Sequence, residues 1–140
     1  VIPSSVTSLG DSAFEGLSIA SINIPTSVTS IGMRCFFYCS NLNDIKINAS
    51  VTSIGNGAFR YCNSLKWVKC LGTTPATIGN YVFDNANNCP IYVPYAALST
   101  YKGAANWSAY QARIMVEAVS FITYTTSDSS ILNVNPTSFG

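Results

Sequence analysis

Few side chains in this chain could do chemistry, and their identities narrow the possibilities at once. The sequence contains no histidine, the side chain best suited to proton transfer near neutral pH and the commonest metal ligand, so neither a Ser-His-Asp nor a Cys-His set can be assembled from it. Two carboxyls facing one cleft could hydrolyse a glycoside. The six acids, Asp11, Glu15, Asp44, Asp84, Glu117 and Asp128, are scattered instead, with only Asp11 and Glu15 close together and Asp44 on a strand face. Five cysteines, Cys35, Cys39, Cys62, Cys70 and Cys89, raise disulfide and zinc chemistry. Cys35-x-x-x-Cys39 is not a zinc-finger or zinc-ribbon spacing, and no histidine can complete one. An enzyme, a cofactor and a metal are therefore not expected, and attention turns to side chains that could bind a partner.

Composition points the same way. Seven basic residues against six acidic ones leave the chain nearly neutral, without the basic stripe that neutralises phosphates, so nucleic acid is not an expected partner. The near-neutral balance equally disfavours a polybasic membrane-surface segment. No apolar run approaches the roughly 20 residues that cross a bilayer, so membrane insertion is not expected. With 9% of residues charged, the solvated surface must be built largely from Ser, Thr and Asn. The start at Val1 shows neither an initiator Met nor a signal-peptide pattern, and the stretch is expected to come from a longer chain.

The elements that position these groups are repeats. Val6-Thr7-Ser8-Leu9-Gly10 recurs as Val28-Thr29-Ser30-Ile31-Gly32, as Val51-Thr52-Ser53-Ile54-Gly55 and, degraded, as Pro75-Ala76-Thr77-Ile78-Gly79, the glycines being 22, 23 and 24 residues apart. Four residues after each glycine stands a phenylalanine, Phe14, Phe36, Phe59 or Phe83. Between these blocks Ser21-Ile22-Asn23-Ile24, Asp44-Ile45-Lys46-Ile47, Trp67-Val68-Lys69-Cys70 and Pro90-Ile91-Tyr92-Val93 alternate, as half-buried strands do. One strand per repeat implies a parallel ladder with successive coils stacked on one another. A single coil cannot bury its own apolar face; stacking creates a continuous core, with the four phenylalanines buried as one column. The glycine is expected to supply a bend that a Cβ would hinder. Cys39 and Cys62 each lie three residues after a phenylalanine, and Cys70 takes the place of the inward Ile24 and Ile47. Small apolar ladder residues account for these three, and mostly reduced, buried thiols are the favoured expectation. A disulfide and a metal site stay open as alternatives.

The pattern strand-Pro-x-x-Val-Thr-Ser-Ile-Gly-x-x-Ala-Phe closely resembles the BspA-type leucine-rich repeats of bacterial surface proteins. The resemblance covers about residues 1–93, as about four repeats, with a deletion in Glu15-Gly16-Leu17-Ser18 and loss of the Val-Thr-Ser wording in the fourth. It implies a right-handed leucine-rich-repeat solenoid, strand-rich, with short turns or 3-10 segments around the phenylalanines. It also implies a secreted or cell-surface location and a non-catalytic binding or adhesion role toward a host or bacterial surface protein. A glycan-binding or spacer module, accessory to an enzyme domain elsewhere, is the alternative. Asn48-Ala49-Ser50 and Asn106-Trp107-Ser108 match a glycosylation sequon, but in a bacterial protein they read as ordinary loop and cap residues.

Residues 94–117 change character. Pro94 opens a stretch with Leu98 and Tyr101 at helical spacing and Gly103 as a stop, and Asn106 can cap a second short helix bearing Trp107, Tyr110 and Ile114. This predicts a helical C-terminal cap over the exposed core and strand edges of the last coil. Residues 118–140 read as the start of a further module, through strands near Val119–Tyr124 and Ile131–Val134, or as a linker.

Two outward columns follow from the strand register: Ser21, Asp44, Trp67, Pro90 and Asn23, Lys46, Lys69, Tyr92. At roughly 4.8 Å per strand each column spans about 14 Å, enough for a peptide segment or a sugar or two. Trp67 and Tyr92, with Lys69, Lys46 and Asp44 beside them, have the composition of a binding hot spot. Packing of Trp67 against a neighbouring loop is the plainer alternative.

Overall fold

The structure, a computed structural model, describes residues 1–118; the strands or linker expected beyond them lie outside the described residues. The chain winds into stacked coils that build two parallel ladders. One contains β1 (Ser8–Leu9), β2 (Ser30–Ile31), β4 (Ser53–Ile54) and β6 (Thr77–Ile78) in that order; the other contains β3 (Asp44–Ile47), β5 (Trp67–Cys70), β7 (Ile91–Tyr92) and β8 (Ile114–Met115). The repeated Val-Thr-Ser-Ile-Gly block is thus itself a short strand, and the coils carry two ladders where the alternation predicts one. The reason lies in its side chains. Val28 and Ile31 are buried while Thr29 is exposed, and the backbone between them pairs in register, Ser30 with Ser53 and Ile31 with Ile54.

Ser21–Ile24 departs from expectation. Its burial alternates as predicted, with Ile24 buried, yet it forms no ladder. The carbonyls of Ala20 and Ile24 accept instead from the Asn43 N–H (3.0 Å) and the Asn48 side chain (2.6 Å).

Between the ladders runs the phenylalanine column. Phe14, Phe36, Phe59 and Phe83 stack with centroid separations of 5.1, 5.1 and 5.6 Å and planes within 8° of parallel. Phe36, Phe59 and Phe83 are fully buried, whereas Phe14, with a stacked ring on one side only, is half-buried. Such pairs contribute about 0.5–1.5 kcal/mol each beyond area burial. The backbone around them is a third hydrogen-bonded face. Phe14, Phe36 and Phe59 each donate an N–H to a carbonyl of the next coil, those of Cys35, Ala58 and Val82.

The glycines act differently from the bend expected of them. Gly32, Gly55 and Gly79 do not adopt left-handed backbone; a Cβ on Gly32 would lie 2.6 Å from the Asp11 nitrogen, and one on Gly55 would collide with the Met33 nitrogen. They are small because the previous coil's backbone passes over them.

The five cysteines are buried free thiols. Cys39 and Cys62 donate their S–H to the carbonyls of Phe14 (3.0 Å) and Phe36 (3.1 Å), one coil back. Burial pushes the thiols of Cys35, Cys62 and Cys70 up from 9.0 to about 12, because a thiolate there would lose its hydration.

The cap differs from two helices. A 3-10 turn (Tyr95–Ala97) leads into α1 (Leu98–Gly103), a second 3-10 turn spans Trp107–Tyr110, and Ile114 belongs to β8, paired with Ile91 of β7. Asn106 is left-handed and makes no side-chain cap bond to its own turn. Its amide donates to the Ile78 carbonyl (2.8 Å), and the Trp107 indole N–H donates to that of Ala76 (2.7 Å). In earlier coils the equivalent carbonyls, such as Thr52 and Ile54, accept from the next coil's N–H groups, at Thr77 and Gly79. Cap side chains therefore substitute for the missing strand. On the phenylalanine face the Tyr110 hydroxyl accepts from the Phe83 N–H (3.2 Å) and donates to Asp84 (2.6 Å).

Two outcomes test this account. Gly55→Ala should destabilise the chain by about 2 kcal/mol or more, through overpacking against backbone that cannot rotate away, while Gly10→Ala, with nothing within 4 Å of its Cβ position, should shift the urea midpoint little. The stability contributed by the buried thiols of Cys35, Cys62 and Cys70 should also be fully present below their ordinary value of 9.0 and be lost as the pH rises toward about 12. There the unfolded thiols ionise and the buried ones do not, each contributing a slope of roughly 1.4 kcal/mol per pH unit. Melting curves from pH 7 to 10.5 should fall less steeply for Cys70→Val than for wild type, and equal slopes would contradict the assignment.

Candidate binding surface

The strand face forms because the inward residues of β3, β5 and β7 are apolar and fully enclosed. Ile45, Val68 and Ile91 share one rung and are completely buried, so their sequence neighbours must point out. Asp44 pairs with Trp67, Lys46 with Lys69, and Lys69 with Tyr92. The five residues singled out from sequence thus share one face in the expected columns, and β8 extends it with Met115 beside Tyr92. Lys46 is exposed; Asp44, Trp67, Lys69 and Tyr92 are half-buried.

Trp67 and Lys69 are already engaged with each other. The Lys69 ammonium lies 4.8 Å from the Trp67 ring centroid, a cation–π contact, and 2.8 Å from the Glu117 carboxylate. Glu117 reaches back from the segment after β8, a partner that strand alternation could not reveal. Beside this pair Lys69, Leu71, Tyr92, Pro94 and Glu117 border an open recess of about 200 Å³. Lys46, with no ion pair among the described residues, is the cation on this face left free to steer an approaching charge.

Four of the described acids tie the structure together, Asp11 by accepting the Met33 N–H of the next coil at 2.7 Å. Glu15 pairs with Arg34, Asp84 accepts from Tyr110, and Glu117 pairs with Lys69. Among the described residues no group of three or more His, Cys, Asp or Glu side chains could hold a metal ion, and no helix is long and apolar enough to cross a membrane. A recess of about 640 Å³ lies against the first coil, lined by Val6, Leu9, Phe14 and Ile22 among others.

Stacked coils with parallel ladders and an internal column of rings are the architecture of a leucine-rich repeat. The family model for the BspA type leucine rich repeat region matches residues 1–99, in six copies. The chain belongs to the BspA-type leucine-rich repeat family. The match reaches a little past the repeat boundary at residue 93 read from the strands, into the start of the cap. A comparison with curated proteins gives no match to this chain.

A second aromatic surface of this BspA-type array lies on the turns that follow each glycine, which sequence reasoning passed over. Phe37, Tyr38 and Tyr61 form one cluster: Tyr38 stacks on Tyr61 at 4.6 Å, and the Phe37 ring edge meets both. Arg34 lies over Phe37 at 4.3 Å, and Arg60 lies 5.0 Å from the Tyr61 ring and 5.1 Å from that of Tyr81. The signal was present in the paired wording Phe37-Tyr38-Cys39 and Arg60-Tyr61-Cys62, which repeats at one coil position.

The Lys69–Glu117 pair is partly solvated, with side-chain exposures of 27% and 58%, and screening keeps its contribution small. Glu117→Gln should cost less than about 1 kcal/mol at low salt, and urea unfolding in 1 M NaCl should erase the difference. A larger, salt-independent loss would make Glu117 a packing residue.

Proposed function

We propose that this chain is a non-catalytic, protein-binding module displayed outside a bacterial cell, whose partner, a host or bacterial surface protein, docks on the outer face of β3, β5, β7 and β8. The observation that carries the proposal is the alignment of Trp67 and Tyr92, flanked by Asp44, Lys46 and Lys69, on one continuous four-strand face. BspA-type repeats are typical of surface proteins, which supports the location. The binding chemistry follows from the side chains. Trp67 and Tyr92 bring large apolar areas with few rotors to lose, the features that concentrate binding energy in aromatic anchors. Lys69, lying over the Trp67 ring, holds the indole in place before any partner arrives, and lost side-chain freedom is part of what association costs. Exposed charges add little affinity and mainly guide encounter, a role that falls to Lys46. Of the described acids, Asp11, Glu15, Asp84 and Glu117 are engaged in coil-to-coil, cap or strand-face contacts, which leaves Asp44 without a second carboxylate beside it on the strand face and supports the non-catalytic reading.

The test measures binding and melting on the same protein, using a panel of purified extracellular proteins and glycans on a biosensor. A protein ligand should be found, and Trp67→Ala should weaken it by about 2 kcal/mol, the usual hot-spot threshold, with the melting temperature nearly unchanged. Lys46→Ala should slow association and flatten its salt dependence. A large drop in melting temperature for Trp67→Ala would make that residue a packing element, and binding confined to glycans would replace the protein partner.

A further inference from the structure

The turn surface carries an observation that the strand face does not explain. Each turn after a repeat glycine contains two left-handed residues at fixed coil positions. The first position is occupied by Ser12, Arg34, Gly57 and Tyr81, the second by Gly16, Tyr38, Tyr61 and Asn85, all with φ between +55° and +72°. Glycine and asparagine enter this conformation with little strain, whereas a bulky side chain there is disfavoured. Tyr81, Tyr38 and Tyr61 thus stand in strained backbone at sites where other coils of the same chain use Gly57, Gly16 or Asn85. Tyr38 and Tyr81 are also half exposed or more, at 50% and 59%, so burial of their rings does not repay the strain. Strain kept at an exposed aromatic points to use of that side chain.

The second observation is the state of the arginines among these rings. Arg34 is paired with Glu15. Arg60 makes no ion pair and no side-chain hydrogen bond among the described residues, and its Nε is buried without a partner. It borders, with Phe37, Met33 and Tyr81, a recess of about 250 Å³, a volume suited to one or two side chains. Asp84, whose carbonyl accepts the N–H of Tyr61 one coil back, has its carboxylate held by Tyr110 in the cap. The patch therefore carries one uncompensated guanidinium set between aromatic rings.

We propose that this turn surface is a second docking site, independent of the strand face, for an acidic peptide segment of a protein partner, with a carboxylate seated at Arg60 and a neighbouring apolar or aromatic side chain against Tyr81 and Met33. Charge complementarity selects the carboxylate, because a guanidinium gives its strongest hydrogen bonds to that group. The rings select a peptide over a sugar. Tyr61 is engaged by Tyr38 and by Arg60, Tyr81 by Arg60, and Phe37 by Arg34, so each of these rings already gives up a contact that a sugar would need, and a partner meets hydroxyls, a guanidinium and a methionine beside them. Tyrosine, arginine and methionine together are the enriched composition of protein interface cores.

The experiment uses the whole chain and a random glutamate–tyrosine copolymer as probe, with polygalacturonate as the acidic glycan, by biolayer interferometry at 50 and 300 mM NaCl. Wild type should bind the copolymer, more weakly at the higher salt. Arg60→Gln should weaken binding at least ten-fold, and Tyr81→Gly at least five-fold, while Trp67→Ala leaves it unchanged. Tyr81→Gly should also melt at or above the wild-type temperature, since glycine relieves the left-handed strain. Stability kept or gained together with binding lost is a combination that a merely structural tyrosine does not produce. The proposal is overturned if the copolymer does not bind, if Arg60→Gln and Tyr81→Gly bind it as wild type does, if Tyr81→Gly lowers the melting temperature by several degrees, or if the same substitutions abolish binding of polygalacturonate and not of the copolymer. Loss on Trp67→Ala alone would return the binding to the strand face.

Discussion

Everything in this molecule follows from the requirement that each coil lie one hydrogen bond from the next around its whole perimeter. Backbone pairs run between coils on the two strand ladders and on the phenylalanine face, which holds the coils about 5 Å apart, as strands in a sheet are. Phenylalanines repeated at that spacing have no choice but to stack nearly parallel, and their centroid separations of 5.1 to 5.6 Å are that spacing expressed in rings. The same closeness leaves no room for a Cβ at Gly32, Gly55 or Gly79. It also lets short polar side chains reach the previous coil: Ser27 bonds the Val6 carbonyl, Ser50 that of Val28, and the Cys39 and Cys62 thiols those of Phe14 and Phe36. The Ser and Thr richness of the chain is a consequence of coil spacing as much as of solvation.

A stack held together in this way has the problem of every open sheet, an end with unpaired donors and acceptors. Here the end is met largely by side chains. Trp107, Asn106, Tyr101 and Arg113 donate to the carbonyls of Ala76, Ile78, Gly72 and Cys89. The Trp107 and Tyr110 rings close the phenylalanine column against Phe83. One set of residues thereby covers the apolar core and satisfies the backbone edge together.

The repeat, the phenylalanine column, the strand register and the five-residue face could be read from the sequence because each depends on a local period. Alternation in Asp44–Ile47 and Trp67–Cys70 specifies which side chains point out, and equal spacing from glycine to phenylalanine specifies what stacks. What escaped depends on contacts between coils or on the far end of the chain. The second ladder went unseen because two-residue strands such as Ser30–Ile31 are too short to show a period. The glycine's role was misassigned because the clash lies with Asp11 or Met33, a whole coil earlier in the chain. Ile114 read as helical because its spacing from Tyr110 fits a helix, while its pairing with Ile91 is a tertiary fact. Glu117 beside Lys69 and the Tyr–Arg turn surface were hidden likewise, one by distance along the chain and the other by a backbone handedness that residue types such as Tyr and Arg do not advertise.

Four of the cap's donors, Trp107, Asn106, Tyr101 and Arg113, end on main-chain carbonyls. Two of these, at Ala76 and Ile78, stand where earlier coils present Thr52 and Ile54, and every coil offers such atoms whatever its side chains. Termination is thus written largely in a language common to all copies of the repeat, with the Tyr110–Asp84 bond as the part that depends on one coil's side chain. Outward residues can differ from copy to copy while the main-chain atoms that receive the terminal segment stay the same. Reach and recognition can therefore evolve separately from the means of ending the stack.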